Sequence, residues 1–296
     1  TEPGSTFKLA SLMALLEDGK MTLNEVLHAK GTYKFYDSYL HDSRHGGYGM
    51  ISLKRAFEVS SNVIADAVNK SYKDDPQDFV DRLKSFGLGD PLGIDLRGEP
   101  RPTIRNAGDD GWSGISIPWM SIGYEVRLTP LQILTFYNGV ANAGEVMKPY
   151  FVSKVTDGAR VVQSYSPEVL NPRLCSATTL SALRSCLEGV VENGTGKSLQ
   201  AASFKIAGKT GTARIAQNSS GYGSDQEIKH QASFVGYFPA DNPKYSCIVV
   251  IHEPEKGIGY YGADVSGPVF KRVAKKIYTD TPLVDEVASL EVQAVD

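Results

Sequence analysis

The chain of 296 residues has no run of about 20 apolar residues, so none of its segments is expected to cross a membrane. No stretch of it shows the charged, apolar and small-residue pattern of a leader peptide, so none is expected within it. Cysteine is scarce: Cys175, Cys186 and Cys247 form no CxxC pair, and their odd number leaves at least one free thiol. All three read as small buried hydrophobes, Cys247 lying in the apolar run 247–251. The five histidines show no HExxH or paired spacing, so no metal site is expected. There is no basic excess. The formal net charge of −3 gives no reason to expect nucleic acid as a partner. Lys271, Arg272, Lys275 and Lys276 read instead as the solvated face of a late helix.

What remains is an ordinary globular composition, 41% hydrophobic and 22% charged. A chain this long can bury a core that needs neither disulfide nor metal. Residues 5–18 read as a helix with almost no polar face. A second helix is expected over 53–70, with Leu53, Phe57, Ile64 and Val68 inward. A third follows Asp75-Pro76 and ends near Gly87 and Gly89. Thr129-Pro130 opens a helix over 129–143, and 178–192 is helical again. The period then changes. Residues 203–215, 231–239 and 245–252 read as strands, the last two joined as an antiparallel hairpin. Residues 265–277 return to helix, with Val265, Val269, Val273 and Ile277 as its apolar stripe. This order favours an α+β fold. The boundaries expected are one domain over 1–278 and an acidic, flexible tail over 279–296.

Three short motifs carry chemistry. They are Ser5-Thr6-Phe7-Lys8 (SxxK), Ser60-Ser61-Asn62 (SxN) and Lys209-Thr210-Gly211-Thr212 (KTGT). Each is weak alone; their order and placement together are a strong signal. A serine hydroxyl is a poor nucleophile until a base takes its proton. Residues i and i+3 share a helix face, so Lys8 can reach Ser5. Lysine is a base only when neutral, which burial or a nearby cation such as Lys209 can bring about. Ser60 is expected to relay a proton to the leaving amine, and Asn62 to orient Lys8 and the substrate amide. Gly211 lets a substrate backbone approach, while Lys209, Thr210 and Thr212 offer donors to a carboxylate. The backbone N–H groups of Ser5 and Thr212 are the expected oxyanion hole.

The set resembles the transpeptidase domain of class B penicillin-binding proteins. Further likeness lies in Phe86-Gly87-Leu88-Gly89, Gly93-Ile94-Asp95-Leu96, Gly123-Tyr124 and Thr129-Pro130-Leu131-Gln132. Residues 237–243, Tyr260-Tyr261-Gly262 and Pro268-Val269-Phe270 resemble the septal, cell-division type. Glu125 departs from the family, which usually has glycine there. The resemblance implies D,D-transpeptidation through a Ser5 acyl-enzyme, with D-Ala-D-Ala stem peptides and β-lactam antibiotics as ligands and no cofactor. It also implies a five-stranded sheet, two of whose strands precede the nucleophile and are missing from this chain. The chain therefore reads as an excised part of a longer protein, held at the extracytoplasmic face by an N-terminal membrane helix. Cell-division proteins are expected to bind the missing N-terminal region.

The rivals are a β-lactamase, a D,D-carboxypeptidase and a β-lactam-sensing receptor. The spacing of 149 positions from Ser60 to Lys209 weighs against a β-lactamase. Gly194-Thr195-Gly196-Lys197-Ser198 looks like a phosphate loop, but position 191 is valine and a helix precedes it.

Overall fold

Ser5 lies in a single 3-10 turn, Gly4–Phe7, that runs directly into helix α1, Lys8–Glu17. Lys8 through Leu15 of α1 are all buried, as its lack of a polar face requires. The coordinates are a computed structural model that describes residues 1–201, 203–215, 229–255, 257 and 259–280.

Four short strands follow: β1 Val26–Ala29, β2 Thr32–Phe35, β3 Ser38–His41 and β4 Gly49–Ser52. They pair as two antiparallel ribbons, β1 with β4 and β2 with β3. Neither ribbon was expected from the sequence, because four residues are too few to establish a period of two. The single helix expected over 53–70 is two helices, α2 Leu53–Glu58 and α3 Val63–Tyr72. The break falls at Ser60, whose φ of 58° is left-handed. The inward residues Leu53, Phe57, Ile64 and Val68 are nonetheless buried as expected.

Next come α4 Pro76–Ser85, α5 Ser116–Ser121 and α6 Pro130–Ala141. Helix α6 begins with a capping box in which Thr129 and Gln132 satisfy each other's backbone N–H groups. Two further small ribbons precede α7, Ala177–Glu192: β5 Val146–Met147 with β8 Val169–Asn171, and β6 Lys154–Asp157 with β7 Arg160–Ser164. The main sheet then forms from β9 Ala207–Ile215, β10 Lys229–Phe238 and β11 Tyr245–His252, in the antiparallel order β11-β10-β9. These are the three strands expected, β9 starting later than residue 203.

Alternation along β10 divides the core. Val235 and Tyr237 pack into the helical layer with α1 and α7, while Phe234 and Phe238 face the closing helix α8, Ser266–Asp280. Helix α8 uses only part of the expected stripe, Ile277 packing against the second core cluster. Val269 and Val273 are exposed, and Ser266, Gly267, Phe270 and Ala274 are buried. Phe270 decides this: its ring meets Phe234 edge-on at 4.7 Å. A β-carbon on Gly267 would lie 2.7 Å from Leu199, so small residues allow the helix to approach. Helix α8 runs to Asp280, two residues past the expected domain end, and the remainder of the expected tail, 281–296, lies outside the described residues. Cys175 and Cys186 are buried thiols, but Cys247 is only half-buried. Among the described residues no helix is long and apolar enough to cross a membrane.

Candidate active site

The nucleophile turn is clamped on both sides by backbone. Gly4 N–H donates to Gly123 C=O at 3.1 Å, and a β-carbon on Gly123 would lie 2.2 Å from Gly4 C=O. On the other side, a β-carbon on Gly211 of β9 would lie 2.3 Å from Ser233 Oγ and 2.8 Å from Thr6 Cγ2. Gly211 was expected to clear room for a substrate; it has a nearer duty, which is to let the Ser5 turn lie against the KTGT strand. From beneath, Tyr137 Oη donates to Thr6 C=O at 2.7 Å. Thr6 Oγ1 closes the turn on Pro3 C=O at 2.9 Å.

Lys8, Ser60, Asn62 and Lys209 converge in one hydrogen-bonded cluster. Lys8 Nζ donates to Ser60 C=O at 2.6 Å, Asn62 Oδ1 at 2.8 Å and Ser60 Oγ at 3.3 Å. Lys209 Nζ donates to the same Ser60 Oγ at 2.8 Å and to Thr210 C=O at 3.0 Å. Ser60 therefore stands between two lysines drawn from segments 201 positions apart. Its left-handed backbone is what turns both its carbonyl and its hydroxyl toward them. That conformation costs a non-glycine residue about 1–2 kcal/mol. The Ser5 hydroxyl carries no side-chain hydrogen bond among the described residues; apo catalytic contacts commonly close only when substrate arrives.

Both lysines are 0% exposed. Burial disfavours the ammonium, so Lys8 falls from the ordinary 10.5 to about 7, against a smaller opposing pull from Asp42. Lys209 is driven well below its ordinary value, again by burial first and then by the charge of Lys8. The like-charge effect expected of Lys209 on Lys8 does not figure in the Lys8 shift; it runs the other way, Lys8 acting on Lys209, and there it is second to burial. Lys209 also lies over the Phe57 ring, 5.7 Å from its centroid.

Asn62 is held from two sides. Its Nδ2 donates to His41 C=O at 2.8 Å, which fixes Oδ1 toward Lys8. One Nδ2 proton is left for a substrate. Asp42, which follows β3, accepts from Asn62 N–H at 2.5 Å and Ser61 Oγ at 2.8 Å. In the third motif, Thr210 Oγ1 meets Thr195 Oγ1 at 2.6 Å, and Thr212 Oγ1 accepts from Gly262 N–H at 3.2 Å. The loop that looked like a phosphate cradle thus serves the KTGT strand. Thr195 N–H donates to Glu58 C=O at 3.1 Å, two residues before Ser60. Sequence reasoning missed Asp42, which sits in no periodic pattern or motif, and weighed Thr195 only as part of the phosphate-loop look-alike.

Glu125 has a φ of 58°, which explains why glycine suits that position. Its N–H donates to Glu2 Oε1 at 3.0 Å, and its carboxylate is 3.9 Å from Arg105.

Known proteins resemble this chain along most of its length. The 29%-identical PbpB of Mycobacterium tuberculosis aligns with 92% of this chain and 40% of its own length. The probable peptidoglycan D,D-transpeptidase PenA of Neisseria gonorrhoeae is 30% identical, over 92% of this chain and 43% of its own. This chain thus spans about four-tenths of the length of these relatives. Among solved structures, penicillin binding protein 3 of M. tuberculosis superposes with a TM-score of 0.80 at 28% identity, covering 96% of this chain and 64% of that one. The same protein has been solved complexed with aztreonam. The transpeptidase domain of Burkholderia pseudomallei penicillin-binding protein 3 gives a TM-score of 0.78 at 28% identity, covering 95% of this chain and 80% of that one. The family model described as the penicillin binding protein transpeptidase domain matches residues 1–275, from before the SxxK turn into the last helix, so the chain belongs to that family.

Proposed function

We propose that this chain is the catalytic domain of a peptidoglycan D,D-transpeptidase that works through a serine acyl-enzyme. The observation that carries the reading is the Lys8–Ser60–Lys209 cluster beside the Ser5 turn, with Lys8 titrating at about 7. An amine of that kind is half neutral near pH 7 and suited to general-base work. Ser5 Oγ attacks the penultimate D-Ala carbonyl while Lys8 takes its proton. The Ser5 and Thr212 N–H groups hold the oxyanion. As the C–N bond breaks, Ser60, bridged to both lysines, passes a proton to the departing D-Ala amine. Asn62 orients Lys8 and the donor peptide. Thr210, Thr212 and Lys209 take the terminal carboxylate, and Gly211 keeps the strand close to the turn. A second stem peptide's amine then displaces Ser5 and completes the cross-link.

β-Lactams present a strained amide in the same register and acylate Ser5. The septal pattern at 237–243 and 260–262 supports a role in cell division, at the extracytoplasmic face, with division proteins as partners through a preceding region. Mass spectrometry after penicillin treatment tests the reading: an adduct on the peptide containing Ser5, absent from Ser5→Ala, is expected. An adduct lost within seconds would instead mark a β-lactamase. Failure to form amide from a thioester donor and an amine acceptor would mark a sensor.

A further inference from the structure

The second motif rests on a buried carboxylate that no motif marks. Asp42 is 8% exposed. Its Oδ1 accepts from Asn62 N–H at 2.5 Å, and its Oδ2 accepts from Ser61 Oγ at 2.8 Å and Tyr33 Oη at 3.4 Å. Asn62 in turn presents Oδ1 to Lys8 Nζ at 2.8 Å. A single residue therefore separates this carboxylate from the amine. Two fully buried lysines meet at Ser60 Oγ, where burial disfavours both ammonium forms, and the Asp42 charge opposes that at Lys8.

We propose that Asp42 is a positioning residue for acyl transfer, holding the 60–62 turn against Lys8 and setting a buried carboxylate on the far side of Asn62 from that amine; this rests on the Ser5–Lys8 chemistry above.

The charges facing Lys8 leave Asp42 as its counter-ion. Lys209 lies across Ser60. Tyr33 turns its hydroxyl onto Asp42, and burial pushes its ionisation up to about 12. The His41 ring is engaged with Thr32 Oγ1 at 3.1 Å and stacks on Tyr39. On the helices packed against α1, Lys70 pairs with Asp66, Arg82 with Asp18, and Arg184 of α7 turns to the Val140 and Ala141 carbonyls; on α2, Arg55 pairs with Glu58. The pull of Asp42 opposes the burial that lowers Lys8. Removing the charge while keeping the shape should therefore make the amine titrate lower.

The test is the rate of acylation by a fluorescent penicillin as a function of pH, in the whole chain. Asp42→Asn retains an acceptor for Asn62 N–H. Its acid limb is expected to move down by about one pH unit relative to wild type. An unmoved limb, or one displaced upward, overturns the proposal. Ser61→Ala removes a hydroxyl dipole that shields the carboxylate, so its limb should move the other way, upward and by less. If circular dichroism shows Asp42→Asn unfolded, Ser61→Ala decides: a limb displaced upward supports the proposal, and one that is unmoved or lowered overturns it. Wild-type protein that is not acylated at Ser5 overturns the transpeptidase reading itself. Acylated wild type with unmoved limbs in both variants overturns the Asp42 role alone.

Discussion

Replacing Lys8 with methionine separates the cost of burying an amine from the catalysis that amine supports. Unfolded, Lys8 keeps its proton to about its ordinary 10.5; folded, it releases it near 7. Between those values the unfolded chain binds more protons than the folded one, so stability rises with pH across that window. The penalty is complete below the folded value and vanishes above the unfolded one. Between about pH 7.5 and 9.5 the difference is about 0.9 of a proton, and 1.36 kcal/mol per proton per pH unit over two units gives about 2–3 kcal/mol. Wild type should therefore gain about 2–3 kcal/mol more than Lys8→Met over that interval. Tyrosines and cysteines that titrate nearby are common to both chains and cancel in the difference. Urea unfolding followed by tryptophan fluorescence measures it, through the midpoint at constant m-value. The variant should also lose acylation by penicillin altogether. Equal pH dependence in the two chains, within about 0.5 kcal/mol, would refute the claim that burial keeps Lys8 a free base.

Other consequences follow from particular contacts. Ser60→Gly and Ser60→Ala both lose the hydroxyl that the two lysines share, but only glycine relieves the left-handed strain, so Ser60→Gly should be about 1 kcal/mol more stable than Ser60→Ala; both should slow acylation, read in the same penicillin assay. Thr195→Val removes the hydroxyl that meets Thr210 and should reduce acylation about tenfold, with Thr195→Ser restoring it. Gly211→Ala places a β-carbon against Ser233 and Thr6; thermal melts should show a loss of about 1–3 kcal/mol together with lost acylation. Glu125→Gly should raise the melting temperature slightly. The backbone gain of about 1 kcal/mol exceeds a loose, half-exposed ion pair to Arg105.

How far the site could be read from sequence varied with the kind of residue. Ser5, Lys8, Ser60, Asn62 and Lys209 announce themselves because each has a reactive group at a short fixed spacing from another. Asp42 and Thr195 do not, because their work is done through a neighbour and their spacing from it is set only by folding. The helices of the core were legible from their period, but Ser60 cuts one of them in two, since a hydrogen-bonded turn outranks helical propensity there.

The sequence by itself determined the type of chemistry, the order of helices and strands, and which side chains are too apolar to remain in water. Tertiary structure decided which face of α8 goes inward, where a ring fitting Phe234 outweighs a stripe of valines. It also decided that both lysines are dry. A lysine's basicity depends on its surroundings, and those are assembled here from segments as far apart as Asp42 and Lys209. No local pattern can report them.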